Sequence, residues 1–228
     1  MNLYSIFYTD INYKKREEYL LNQLKNIGFN IIINYNREWL EATDFYLENK
    51  DILNMPRGGG YCLWKPYIII ETMKKMMEND ILFYMDAGDD IKNNNFLNVI
   101  KNYMINNDYM IAGSSDRARN KCYTKKDCFV LMNCDNEVYH NAPMIEAGTL
   151  VFKKTSLNEK FLNEWLFYCK NKNIITDIPN ILGKNDKEFI DNRYNQSVLS
   201  NLRIKYNMEY NNELYLQMNY NAFTPIKL

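Results

Sequence analysis

Histidine occurs once in the chain, at His140, and no Cys-x-x-Cys pair is present. The common zinc ligand sets are therefore missing. Five cysteines, an odd number, do not make a disulfide framework and suit a reduced, cytoplasmic setting. There is no excess of charge, with Lys+Arg and Asp+Glu at 28 each. This argues against a nucleic-acid binder that relies on bulk positive charge. No apolar run reaches membrane-spanning length. The opening MNLYSIFYTDINYKKREE has no long apolar region after a basic start, so it does not read as a signal peptide. Neither a Walker GKS/GKT nor a GxGxxG fingerprint occurs. No internal repeat or linker divides the 228 residues, which suit one domain able to bury about 70% of its unfolded surface.

What is present centres on Ile81–Ile91, ILFYMDAGDDI. Ile81–Met85 is too short for a helix and rich enough in aromatic and branched residues to be a buried strand. It stops at Asp86-Ala87-Gly88-Asp89-Asp90, three carboxylates around a glycine. Acids crowded at the C-terminal end of a buried strand repel one another unless a positive charge sits among them. In open α/β sheets that end is also where ligands bind. A hard divalent cation holding phosphate oxygens accounts for the cluster; a solvated acidic turn is the alternative.

Upstream, Leu3–Tyr8 reads as a strand and residues 13–26 as a helix closed by Gly28. Phe29–Tyr35 is a second strand, so the start is a βαβ unit and the fold class is α/β. A helix is expected within Glu38–Lys50, with Leu40, Phe45, Tyr46 and Leu47 as its apolar members. The stretch Arg57-Gly58-Gly59-Gly60 through Lys65-Pro66 reads as a phosphate cradle or as a flexible loop between solvated cations. Pro66 opens a helix expected to run to Met77.

Downstream, Phe96–Ile105 reads as a helix and Tyr109–Ala112 as a strand. The basic run 114–126, with Arg117, Arg119, Lys121, Lys125 and Lys126, is a solvated loop or a substrate-facing lid. Glu146-Ala147-Gly148 introduces a strand expected over Thr149–Phe152. In the amphipathic helix that follows, Trp165 is expected in the core. A last helix spans Ser197–Lys205, and residues 206–228 read as a surface-wrapping tail.

Taken together, RGGGYCLWKPYII, LFYMDAGDDI, KKDCFV, IEAGTLVFKKT, FLNEW and DNRYNQSVLSNL resemble a family of bacterial and viral glycosyltransferases with the GT-A fold. The resemblance implies a single domain with a Rossmann-like mixed central sheet flanked by helices. It implies Asp86 as metal ligand, assisted by Asp89 or Asp90, with Mn2+ or Mg2+ as cofactor. Trp64, Lys65 and Arg57 would line the donor site, Thr9 and Asp10 would contact the nucleoside, and Arg193 and Gln196 would hydrogen-bond the donor. Glu146 is the candidate catalytic carboxylate, or else only a hydrogen-bond acceptor of a helix or loop, and Asp89 enters the same catalytic role. The expected partners are a nucleotide-sugar donor, a UDP-sugar foremost, and a glycan or glycoconjugate acceptor in surface polysaccharide or glycoprotein assembly. Two departures stand out. The late motif, usually HR-aromatic-DQS, here has amides at Asn192 and Asn195, and the third position of the acidic motif is Gly88. An amide supplies no negative charge to a metal. A non-catalytic glycan or nucleotide-sugar binder of the same fold is therefore the second reading. A nucleotidyltransferase is the third, with the glycines later than its usual loop.

Overall fold

A computed structural model describes residues 1–92, 95–113 and 119–224. Five strands form the central sheet: β1 (Leu3–Thr9), β2 (Ile31–Asn36), β3 (Ile81–Met85), β5 (Tyr109–Gly113) and β6 (Ile145–Lys153), in the order β2-β1-β3-β6-β5. β1 runs parallel to β2 and β3, whereas β6 is antiparallel to both its neighbours. The sheet is thus mixed and the molecule a single α/β domain. β4 (Asp90–Ile91) and β7 (Met218–Asn219) form a separate two-stranded ribbon.

Side-chain alternation along the strands builds two cores. On one face Ile6, Leu82, Tyr84, Leu150 and Phe152 meet apolar residues of helices Trp64–Met73, Ser156–Cys169 and Tyr194–Lys205. On the other, Phe7, Phe83, Met85 and Val151 meet Leu20 and Leu24 of helix Glu17–Ile27 and Phe96, Leu97 and Ile100 of helix Phe96–Met104. Trp165 is fully buried, as expected, and its indole N–H donates to the Asn195 carbonyl at 2.9 Å. Among the described residues no helix is long and apolar enough to cross a membrane.

Several expectations are corrected. The segment after β2 holds two helices, Arg37–Glu41 and Asp44–Leu53, with Leu47 exposed. The helix opening at Trp64 ends at Met73, and buried Met76 replaces exposed Met77. Within the basic run, Arg117 lies outside the described residues. Lys125 is buried and donates to the Thr176 and Ile178 carbonyls, at 3.2 and 2.7 Å, so it is a structural anchor and not part of a solvated lid. The tail does more than wrap the surface: Leu214 and Met218 are core residues, and β7 pairs with the strand that ends the acidic turn.

The Gly-rich stretch is neither a cradle nor an open loop. Gly58 to Cys62 all have positive φ, and the Tyr61 and Cys62 amides bond back to the Arg57 and Gly58 carbonyls at 2.7 and 3.1 Å. This is one turn of left-handed helix, which L-residues resist by about 1–2 kcal/mol each. Three glycines carry most of it. At Gly60 a Cβ would lie 2.5 Å from the Leu53 Cα, whereas at Gly59 the nearest atom would be 3.6 Å away. Gly59→Ala is therefore expected to destabilise by about 1–2 kcal/mol, and Gly60→Ala by more than about 3 kcal/mol. Equal losses in denaturant melts would rule out the close backbone contact as the reason for Gly60.

Candidate active site

β3 ends at Met85, and the Asp86 amide donates to the Gly148 carbonyl of β6 at 2.8 Å. The turn closes when the Asp89 amide donates to the Asp86 carbonyl at 3.0 Å. Because β6 runs antiparallel, its N-terminal end lies beside the C-terminal end of β3. Glu146, Ala147 and Gly148 belong to β6 itself, which starts at Ile145 and not at the expected Thr149. Between the pairs Ile111–Leu150 and Gly113–Ile145, β5 advances two residues while β6 advances five. Such a bulge re-aims side chains near a site.

These elements surround a cavity of about 330 Å³ lined by Lys65, Asp86, Asp89, Glu146, Gly148 and Asn195, among others. Lys65 is 3% exposed, and its ammonium reaches the Ala147 carbonyl and Asp86 Oδ1, both at 2.8 Å. Burial is the largest single influence and works against this charge, but Asp86, Cys62 and Asp89 together outweigh it and raise the lysine pKa. The Tyr84 hydroxyl also donates to Asp86 Oδ1. Burial, then Asp86, hold that phenol well above its ordinary pKa, so it remains a donor.

Asp89 is 4% exposed. Its Oδ1 accepts the Asn221 amide at 2.8 Å, while Oδ2 has no hydrogen-bond partner among the described residues. Burial and the neighbouring Asp86 push its pKa up to about 8, against the pull of the Asn221 amide and Lys65. A Cβ built on Gly148 would lie 3.0 Å from Asp89 Oδ2 and 3.3 Å from Asp86 Oδ2. The glycine leaves room for both carboxylates to converge.

Among the described residues no group of three His, Cys, Asp or Glu side chains is placed to hold a metal. Two carboxylates with an unpartnered buried oxygen fit a hard cation that takes its other ligands from water or phosphate. Asp86 and Asp89 would hold it. Asp90 turns away and pairs with Arg16, whose guanidinium also reaches the Ala87 and Asp89 carbonyls at 3.1 and 3.0 Å.

The structure brings Glu146, Lys65, Arg193 and Gln196 to the same cavity. Arg193 is exposed there, and the Gln196 amide donates to the Ile145 carbonyl at 2.9 Å. Four expected donor contacts do not line it. Thr9 is buried with its hydroxyl on Asn34 Oδ1 at 3.0 Å. Asp10 caps its own turn by accepting the Asn12 and Tyr13 amides. Trp64 stacks on Tyr8 at 4.0 Å and donates to the Gly58 carbonyl. Arg57 pairs with Asp177 and Asp191.

Sequence reasoning missed Cys62, Tyr215, Tyr220 and Asn221, which also line the cavity. The two tyrosines stack at 4.9 Å. Burial pushes the Cys62 thiol up to about 11, which leaves it protonated at neutral pH and no nucleophile. A tail with no helical or strand period carried no signal of its role, and a thiol without a partner residue nearby in sequence carried little.

No known family model matches the chain, and no curated protein sequence matches it. Solved structures resemble it at low identity. A glycosyltransferase involved in glycosylation of the major capsid of PBCV-1 aligns at 12% identity and TM-score 0.44, over 84% of this chain and 82% of that one. The WbbM bifunctional glycosyltransferase gives 11% and 0.49, over 88% and 37%. Mouse xyloside xylosyltransferase 1 gives 10% and 0.46, over 92% and 83%. Scores below 0.5 at such identities assign neither family nor reaction.

Two outcomes follow from the carboxylate pair. Gly148→Ala should keep the fold and weaken Mn2+ binding about tenfold, read by calorimetry; unchanged affinity would remove the pair as the cation site. In metal-free protein, folded Asp89 favours its neutral form, whereas unfolded aspartate ionises near pH 3.9. The stabilisation from this group is complete below about pH 4 and is lost as pH rises through about 8. Asp89→Asn should therefore melt higher than wild type at about pH 9, by about 2–4 °C for each kcal/mol recovered, with the gap closing toward pH 4. A gap independent of pH would contradict the crowding of Asp86 and Asp89.

Proposed function

We propose that the chain is a metal-dependent glycosyltransferase that moves a sugar from a nucleotide donor, a UDP-sugar foremost, to a glycan hydroxyl in the cytoplasm. One observation carries this reading. Asp86, Asp89 and Glu146 converge in one cavity at the mouth of the central sheet, with a buried Asp89 oxygen unpartnered among the described residues. Breaking a sugar–phosphate bond builds positive charge at the anomeric carbon and negative charge on the departing diphosphate. A divalent cation on Asp86 and Asp89 supplies electrostatic stabilisation of that diphosphate when bound.

The remaining roles belong to the chain's own groups. Lys65 orients Asp86 from below through its bond to the Ala147 carbonyl, so it is a positioning residue and not a direct phosphate ligand. Arg193 offers a guanidinium to donor oxygens. Glu146 takes the proton of the acceptor hydroxyl as its oxygen bonds to the anomeric carbon and the nucleoside diphosphate leaves.

Asn195 favours a second reading, a non-catalytic binder of the same ligands. It is 3% exposed and lines the cavity with an amide where the resembled family carries a carboxylate. Asn192 bears less on the question, because its amide is buried against the Ile174 and Ile175 carbonyls at 3.3 and 3.5 Å.

Incubation with a panel of nucleotide sugars and Mn2+, following free nucleoside diphosphate, separates the readings. Donor cleavage by wild type should fall about 100-fold or more in Asp86→Asn. Cleavage that survives the substitution would overturn the assignment. Donor binding without turnover would select the binder, and pyrophosphate release from a nucleoside triphosphate and a sugar phosphate would select a nucleotidyltransferase.

A further inference from the structure

A second cavity, also of about 330 Å³, is lined by Arg57, Lys125, Asp177, Asn180, Phe189 and Asp191, among others. It shares a wall with the acidic cavity. One layer of that wall is the left-handed turn, with Arg57 facing the second cavity and Cys62 the first. The other is the segment from Asp191 to Gln196, whose first two residues line the second cavity and last four the first. Tyr194, itself at φ +50°, joins the layers: the Arg57 guanidinium lies 4.6 Å over its ring, and Tyr61 meets it edge-on at 5.0 Å.

The charges in this second cavity balance. Arg57 bonds Oδ2 of Asp177, at 2.7 Å, and Oδ2 of Asp191, and each carboxylate has a second oxygen beyond that contact. Lys125 is held by two backbone carbonyls. A phosphate would meet two carboxylates and find both cations already engaged. A neutral, hydroxyl-rich ligand meets paired donors and acceptors instead, with Phe189 as an apolar face. The side chains of Arg57, Asp177 and Asp191 are 41, 36 and 32% exposed, so a ligand can reach them. The walls are also fixed in advance. Asn185 Oδ1 accepts from the Lys126 amide at 2.8 Å and from Asn180 Nδ2 at 2.7 Å. Asp127 is fully buried and binds the Ile181 and Leu182 amides at 3.0 and 2.9 Å.

We propose that this second cavity is a saccharide-binding site for a neutral sugar unit. As the place where the acceptor glycan docks it rests on the glycosyltransferase reading; as a saccharide pocket it stands apart from it. The test is saturation-transfer NMR on the full chain with lactose, maltose and chitobiose, each at up to about 20 mM. At least one should bind wild type, with a dissociation constant on the order of 1 mM. Asp191→Asn and Phe189→Ala, checked for folding by thermal melt, should each weaken it about tenfold, while Asp86→Asn binds as wild type does. No binding by any of the three sugars, or binding that both wall variants leave intact, would overturn the proposal. So would loss of binding in Asp86→Asn, which would put the sugar in the acidic cavity. Saccharide binding without donor turnover by wild type would sink the transferase reading and leave this site standing. Donor turnover with no sugar in the second cavity would do the reverse.

Discussion

The ion pair between Lys65 and Asp86 is the constraint on which the arrangement of the acidic cavity rests. A lysine ammonium this deep needs a counter-charge and a further acceptor, because its desolvation is not repaid by one partner alone. Asp86 and the Ala147 carbonyl supply both. The same two bonds join three elements: the helix that begins at Trp64, the end of β3 and the start of β6. Asp86 Oδ1 is occupied by Lys65 and Tyr84, while its other oxygen stays beside Asp89 Oδ2. The carboxylate is thereby oriented before any ligand arrives. Charge held in place in this way needs no reorganisation when a ligand binds.

The strand that ends in the acids could be read from the sequence to the residue, because its five apolar residues are too few for a helix and rich in aromatic and branched side chains. The roles of individual acids were less legible. Asp90 looks equivalent to Asp89 in sequence, but Arg16 claims it from the first βα segment. Arg57 directly precedes three glycines and looks like a phosphate ligand, yet its partners Asp177 and Asp191 lie 120 and 134 residues away. Pairings at that separation leave no local trace. The tail was opaque for a different reason. Asn- and Tyr-rich segments show no apolar period, and Asn221 contributes through a backbone amide, which is independent of the side chain.

The wall between the two cavities concentrates the strained backbone near the site. Five residues in the left-handed turn and Tyr194 opposite have positive φ, and five of these six line a cavity or contact a residue that does. Strain of this kind persists when surrounding contacts over-determine it. Here the Arg57 pairs, the Tyr61–Tyr194 contact and the Trp64 indole bond to Gly58 do so. The thin partition keeps two differently charged compartments apart: one rich in acid, the other electrically balanced.

The bulge in β6 separates architecture from chemistry. Regular pairing of β6 with β3 and β5 lies within Thr149–Lys153, and beyond the bulge β5 resumes with the pair Gly113–Ile145. Shortening the strand by the surplus residues would let β5 and β6 pair regularly at little cost to the core, since Ala147 is the one apolar core residue between Ile145 and Leu150. The same shortening would withdraw Glu146 and Gly148 from the mouth of the sheet. A few codons at one strand end thus set the lining of the acidic cavity without setting the sheet that carries it.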